Sequence, residues 1–178
     1  MSKYIIDFQG FHCENDSYII KELTIIDLDR DYVLHHLVLP PFDVSLLNEK
    51  EQKQVYWLQK YYHKINWNDG QLEYNQLFAT LRNAVKDASV IYVKGSERAS
   101  FLRKVTSKFV IDLDKLDCPR ACHLPLPKIS KMMECCYKTH SFDCQDSGIC
   151  SLERALKYKF WLRNFFDNGV DEVDFSSL

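Results

Sequence analysis

The alternation of apolar and polar positions places strands early in the chain and helices later. The run "YIIDFQGF", Tyr4 to Phe11, reads as a buried strand closed by Gly10, and "SYIIKELTIIDL", Ser17 to Leu28, as a second, longer strand. The polar stretch "HCENDS" between them predicts a hairpin loop. A third strand is predicted in "DYVLHHLVLPPF", ended by Pro40 and Pro41, neither of which has an N–H to give to a ladder. From Ser45 to Tyr62 there is no Gly or Pro, and Leu46, Val55, Leu58 and Tyr62 fall at roughly helical intervals, which predicts one or two helices. "WNDG" breaks that pattern. "YNQLFATLRNAVKDA" then sets Leu77, Leu81 and Val85 on one helical face and leads into the apolar run "SVIYVKG", a buried parallel strand. "SERASFLRKVT" predicts a short helix capped by Ser96, and "FVIDL" a further strand. "SLERALKYKFWLRNFF" predicts a closing helix, with Leu152, Leu156, Phe160 and Arg163 spaced by turns.

Three strands, helix, strand, helix, strand, helix: this order predicts an α/β architecture, a mixed sheet with its first three strands antiparallel and the later ones parallel, flanked by helices. The 178 residues fit one domain, expected over residues 1–166, with the acidic stretch 167–178 a frayed tail. An apolar share of 46% with 27% charged residues excludes a disordered chain. No apolar run approaches the ~20 residues needed to cross a bilayer, and Met1-Ser2-Lys3 leads straight into a strand, so the expectation is an intracellular protein with no membrane partner.

Net charge is a formal −2, but the charge is unevenly spread. Between Lys94 and Lys138 ten basic residues stand against five acids, so a nucleic-acid footprint would be local. A solvated surface explains the same charges equally well.

Seven cysteines suit a reducing compartment only as buried thiols or metal ligands. All but Cys13 fall between Cys118 and Cys150, together with His123 and His140. Cys136 and His140 are four apart and face the same way on a helical turn, so both can grip one ion, with Cys144 or Cys150 as a further thiolate. Cys118, Cys122, His123 or the carboxylate of Glu97 could complete the set. Zinc suits such mixed donors, and four protein ligands would make it structural. The plainer alternative is that these cysteines are small buried hydrophobes. A thiol enzyme is disfavoured because spacing singles out no thiolate with a base beside it.

Asp7 raises a different question. Two-metal nucleases gather several carboxylates around paired cations, but two residues after Asp7 stands Gln9, an amide that brings no charge to offset a divalent ion. Asp27, Asp29, Asp112 and Asp114 also lie at strand ends, where acids are common for solvation alone.

The segments "YIIDFQGF" and "IIKELTIIDL" resemble the first hairpin of DEDD-type 3′–5′ exonucleases of the RNase H-like superfamily. "VIYVKGSERASFL", "VIDLDKLDCP", "CYKTH" and "CSLERALKYKFWL" resemble a narrower relative, the Maelstrom-type domain and related arthropod proteins. That resemblance, from Tyr4 to about Leu162, implies an RNase H-like fold with its catalytic acids replaced and a structural zinc held by a Glu-Cys-His-Cys set. Matched by position, those ligands are Glu97, Cys136, His140 and Cys150, with Cys135 and Cys144 as competing neighbours. Of the exonuclease acids Asp7 alone remains, since Glu97-Arg98 stands at the second site and "ICSLERA" offers no His and Asp in register at the third.

The expected function is therefore a catalytically degenerate, zinc-stabilised module that binds RNA or a protein partner in a small-RNA silencing or transposon-related setting. Phosphate contacts are expected from Arg98, Arg103, Lys104 and Lys108. The alternative is a single-stranded RNA nuclease that works without the acid cluster. The aromatic segment from Trp57 to Trp67 is expected to be core more than interface.

Overall fold

The computed structural model describes residues 2–13, 18–125 and 150–167. Five strands form one sheet: β1 (Ser2–His12), β2 (Tyr18–Asp27), β3 (Val33–Leu37), β4 (Ala88–Val93) and β5 (Val110–Asp112). They lie in the order β3-β2-β1-β4-β5. β2 is antiparallel to both β1 and β3, whereas β4 runs parallel to β1 and to β5. The two parallel connections each contain a helix, α2 (Tyr74–Ala84) and α3 (Ser96–Thr106), and α4 (Ser151–Asp167) closes the described chain. This is the predicted mixed sheet flanked by helices, an arrangement consistent with an RNase H-like fold.

Because side chains alternate along a strand, β1 divides its apolar residues between two cores. Tyr4, Ile6 and Phe8 pack with Leu77 and Leu81 of α2 and Leu102 of α3, while Ile5 on the other face packs with Leu152, Ala155 and Leu156 of α4. Each face is thus covered by different helices. Of the α4 residues spaced by turns, Leu152 and Leu156 are buried and Phe160 is 42% exposed, while Leu162 is fully buried.

The β1–β2 ladder carries an irregularity after Gln9, where Gln9 opposes Glu22 but Gly10 opposes Ile20, leaving Lys21 as an extra residue on β2. Gly10 is required there, since a Cβ would lie 1.9 Å from the Ile19 carbonyl oxygen. Lys21 is fully buried, and its ammonium donates to the carbonyls of Val38 (2.6 Å), Trp67 (2.6 Å) and Asp69 (2.7 Å). Burial draws its pKa down to about 8, and the three carbonyl oxygens stand in for lost water.

The predicted helix from Ser45 to Tyr62 is a short 3-10 turn followed by α1 (Glu49–Trp57). Asn48, not Ser45, caps α1, in a reciprocal box with Glu51. α1 continues into a π-helical turn, Leu58–Tyr62. Tyr56 and Trp57 before it and Tyr61 and Tyr62 within it are 52% to 63% exposed, and Leu46 is 74% exposed. For these residues the expectation of a core role is wrong; Trp67, buried against Phe11, keeps it. The start of α3 is also corrected: Ser96 is its first residue, and Gly95 is the cap, at φ 105° with its N–H donated to Asp112 (2.8 Å).

Candidate functional site

The register sets a polar patch on the face of the sheet that α4 covers. Asp7 lies opposite Thr24 and Gln9 opposite Glu22, while Thr24 lies opposite His35 of β3, so all five side chains share one face. Asp7, Gln9, Glu22 and Thr24 are each no more than 2% exposed. Polar groups this deep must find partners within the protein.

Arg154, one turn into α4, supplies the first set. Its Nε lies 2.5 Å and its Nη2 3.3 Å from the two Asp7 carboxylate oxygens, and its Nη1 donates to Gln9 Oε1 (3.2 Å). The Phe8 N–H adds a bond to Asp7 (2.8 Å). Burial alone would make Arg154 easier to deprotonate, but the charge and hydrogen bonds of Asp7 shift it the other way and hold the guanidinium charged. A fixed cation therefore sits on the Asp7 carboxylate, deep in the protein.

The second set surrounds Glu22. Gln9 Nε2 (2.5 Å) and the Ser151 N–H at the start of α4 (3.0 Å) donate to Oε2, while His35 Nε2 (2.8 Å) and the Cys150 thiol (3.3 Å) meet Oε1. Thr24 and Ser151 join hydroxyls at 2.7 Å, which ties the helix end to the sheet. One ligand atom each from Glu22, His35 and Cys150 lies within 4.8 Å of the others, forming the one such group among the described residues. Burial alone would lower the pKa of His35, but hydrogen bonds to Cys150 and Glu22 outweigh it and push it up to about 11. Oxygen, nitrogen and sulfur donors converging there could hold a metal ion, and neutral imidazole and thiolate are the forms that would ligate it.

Of the four sequence-predicted ligands, Cys150 is in this group. Glu97 is not: it is exposed in the first turn of α3, and the carboxylate that meets Cys150 is Glu22. Cys136 and His140, like Cys135 and Cys144, lie outside the described residues. Cys118 is a buried thiol in the α4-side core, its pKa pushed up to about 12 by burial, and Cys122 is exposed. Asp27 and Asp112, expected at strand ends for solvation, are instead 1% and 4% exposed and accept backbone N–H groups, Asp27 from Asp29 and Arg30 and Asp112 from Gly95 and Asp114.

The opposite face carries an open cleft of about 690 Å³ between α3 and the β1–β2 hairpin. Phe8, Tyr18 and Phe101 form an aromatic wall, with Arg98 and Lys104 as its cations and Glu97 and Asp114 as its acids. Arg98 stacks over Phe8 at 5.9 Å. The four basic residues expected to line one footprint are divided. Arg103 turns to the Val110 carbonyl (2.8 Å) and Lys108 to that of Lys86 (2.7 Å), so only Arg98 and Lys104 face the cleft.

No protein-family model and no curated protein matches the chain. Among solved structures it is similar to "Exonuclease X in complex with 5' overhanging duplex DNA", with a TM-score of 0.49 and 17% identity over 94% of this chain and 92% of that one. At that similarity the likeness bears on neither substrate nor chemistry. Among the described residues no helix is long and apolar enough to cross a membrane.

Proposed function

We propose that this chain is a metal-stabilised RNase H-like domain that binds its ligand without hydrolysing it. The observation that carries the reading is the Arg154 guanidinium seated on Asp7, both buried, on the face where metal-dependent hydrolysis would need a free carboxylate and open access. Glu22, His35 and Cys150 hold the ion, zinc by their donor chemistry. Its fourth ligand is expected from the residues that the sequence singled out, Cys136 or His140, whereas Glu97 belongs to the cleft. The ion's contribution is shape: it fastens the start of α4 to β2 and β3.

Single-stranded RNA is the ligand class, in the silencing or transposon-related setting implied by the resemblance to Maelstrom-type domains. The α3 cleft supports that choice by pairing aromatic rings with Arg98 and Lys104, the combination that holds bases and phosphates of a single strand. The test incubates the full chain with fluorescently labelled single-stranded RNA with Mg²⁺, with Mn²⁺ and with chelator. Expected is binding that weakens with salt and in Arg98→Ala and Lys104→Ala, with no product at any metal concentration. RNA cleavage by the purified chain would replace this reading with that of a nuclease independent of the acid cluster. Absence of RNA binding would leave a protein-interaction module.

A further inference from the structure

Gln9 is the residue at which the sequence departs from a carboxylate pair, and its amide has a definite place between the two buried polar sets. Its Oε1 accepts from Arg154 Nη1 at 3.2 Å, and its Nε2 donates to Glu22 Oε2 at 2.5 Å. The amide orientation is fixed by charge, since a flip would point NH₂ at a guanidinium and oxygen at a carboxylate. With Gln9 and the Ser151 N–H both on Oε2, the other oxygen of Glu22 is the one that faces His35 and Cys150.

We infer that Gln9 is a positioning residue that couples the Asp7–Arg154 ion pair to the metal centre, so that Arg154 helps to set metal affinity through it. The inference rests on reading Glu22, His35 and Cys150 as that centre. The amide suits the place because one side must accept from a cation while the other donates to an anion. A carboxylate at position 9 would satisfy Arg154 but confront Glu22. An apolar side chain would remove one hydrogen bond from Nη1 and one from Oε2 where Gln9 and Glu22 are 2% and 0% exposed. Coupling of this kind is reciprocal: an ion that fixes Glu22 also fixes Gln9 and steadies Arg154 on Asp7.

The test uses the full chain with Zn²⁺ and with Co²⁺ as a spectroscopic stand-in. Zinc affinity is measured by chelator competition, and ligand geometry by the visible absorption of the cobalt form. Gln9→Met is expected to bind one ion about 10–100-fold more weakly than the unmodified chain, with altered cobalt bands, as for a lost outer-shell partner. Gln9→Glu at neutral pH is expected to weaken binding at least as much. A measurement on the unmodified chain guards against variants that fail to fold: the side-chain amide NMR signals of Gln9 are expected to shift when one equivalent of Zn²⁺ is added. Binding within twofold of the unmodified chain with unchanged cobalt bands, or Gln9 signals unmoved by zinc, overturns the coupling. If the unmodified chain binds one ion and loses it in Glu22→Gln and Cys150→Ser, the metal centre stands whatever Gln9 does. If it takes up no ion, the centre fails and the coupling with it.

Discussion

The two faces of the sheet use the same strand in opposite ways. On the α4 side, β1 contributes Asp7 and Gln9 to a sealed network in which each charge meets its counter-charge; on the α3 side, Phe8 and His12 line an open cleft. Residues adjacent in sequence thus serve stability on one face and access on the other. Polar side chains alone do not locate a binding surface: one polar set here is closed, and the exposed one interleaves three aromatic rings with charged and hydroxyl side chains.

Breaking the ion pair should separate the faces most sharply. Arg154→Ala or Asp7→Ala leaves a buried charge without its partner and is expected to cost about 3–5 kcal/mol in chemical denaturation. Replacing the pair together with apolar residues of similar volume, Asp7→Leu with Arg154→Met, should recover much of that loss. Equal destabilisation by the single and double changes would mean the pair is not the relevant unit.

Metal removal comes next. With metal ~1,000-fold above its dissociation constant, binding adds about 4 kcal/mol, so chelation should lower the melting temperature by roughly 8–16 °C. Cys150→Ser should melt like the chelated protein and be indifferent to chelator. Lys104→Ala, on the other face, should keep the full response.

Alkaline titration reads the same contrast more gently. Burial raises the Cys118 thiol from 9 to about 12. Between those values the unfolded chain releases its proton while the folded chain keeps it, so stability falls as pH rises through the window. Cys118→Ala should remove up to about 1.4 kcal/mol per pH unit of that slope, measured by denaturant titrations from pH 8.5 upward. The smallest stability effects are expected from Arg98→Ala and Lys104→Ala, within about 0.5 kcal/mol of the unmodified chain. Each should nevertheless make RNA binding less salt-dependent, lowering the log–log slope by about 0.7 per lost phosphate contact.

Most of the sheet was legible because strand alternation and Gly/Pro punctuation are local signals. "YIIDFQGF", "SYIIKELTIIDL" and "SVIYVKG" all became strands, and their order gave the architecture. The site was legible only in part. Cys150 was one of two thiols that spacing allowed and the one the resemblance implied, but Glu22 and His35 did not stand out, since they meet through strand register, which a sequence pattern leaves open. One available signal was a Glu set amid isoleucines in β2, a charge that would need a buried partner. Arg154 carried no such signal, because the resemblance points to acids and histidines at that helix, while the structure puts a cation there, 147 residues from its partner Asp7. The exposed Tyr61 and Tyr62 were misassigned for another reason: the π turn changes the helical period on which their placement depended.

The extra residue in β2 also bears on which segments of the fold open together. Lys21 reaches its three carbonyls in the irregular register of the β1–β2 hairpin, and two of them, those of Trp67 and Asp69, belong to the connection before α2. That connection is stitched to the end of β3 by the Gln71 and Leu72 N–H groups on Leu37 and by Leu39 on Leu72. Its opening is therefore expected to be cooperative with loss of the Lys21 contacts. Native-state hydrogen exchange should give the amides of Gln71, Leu72 and Leu39 a common opening free energy, and Lys21→Met should lower all three together while leaving those of β4 unchanged.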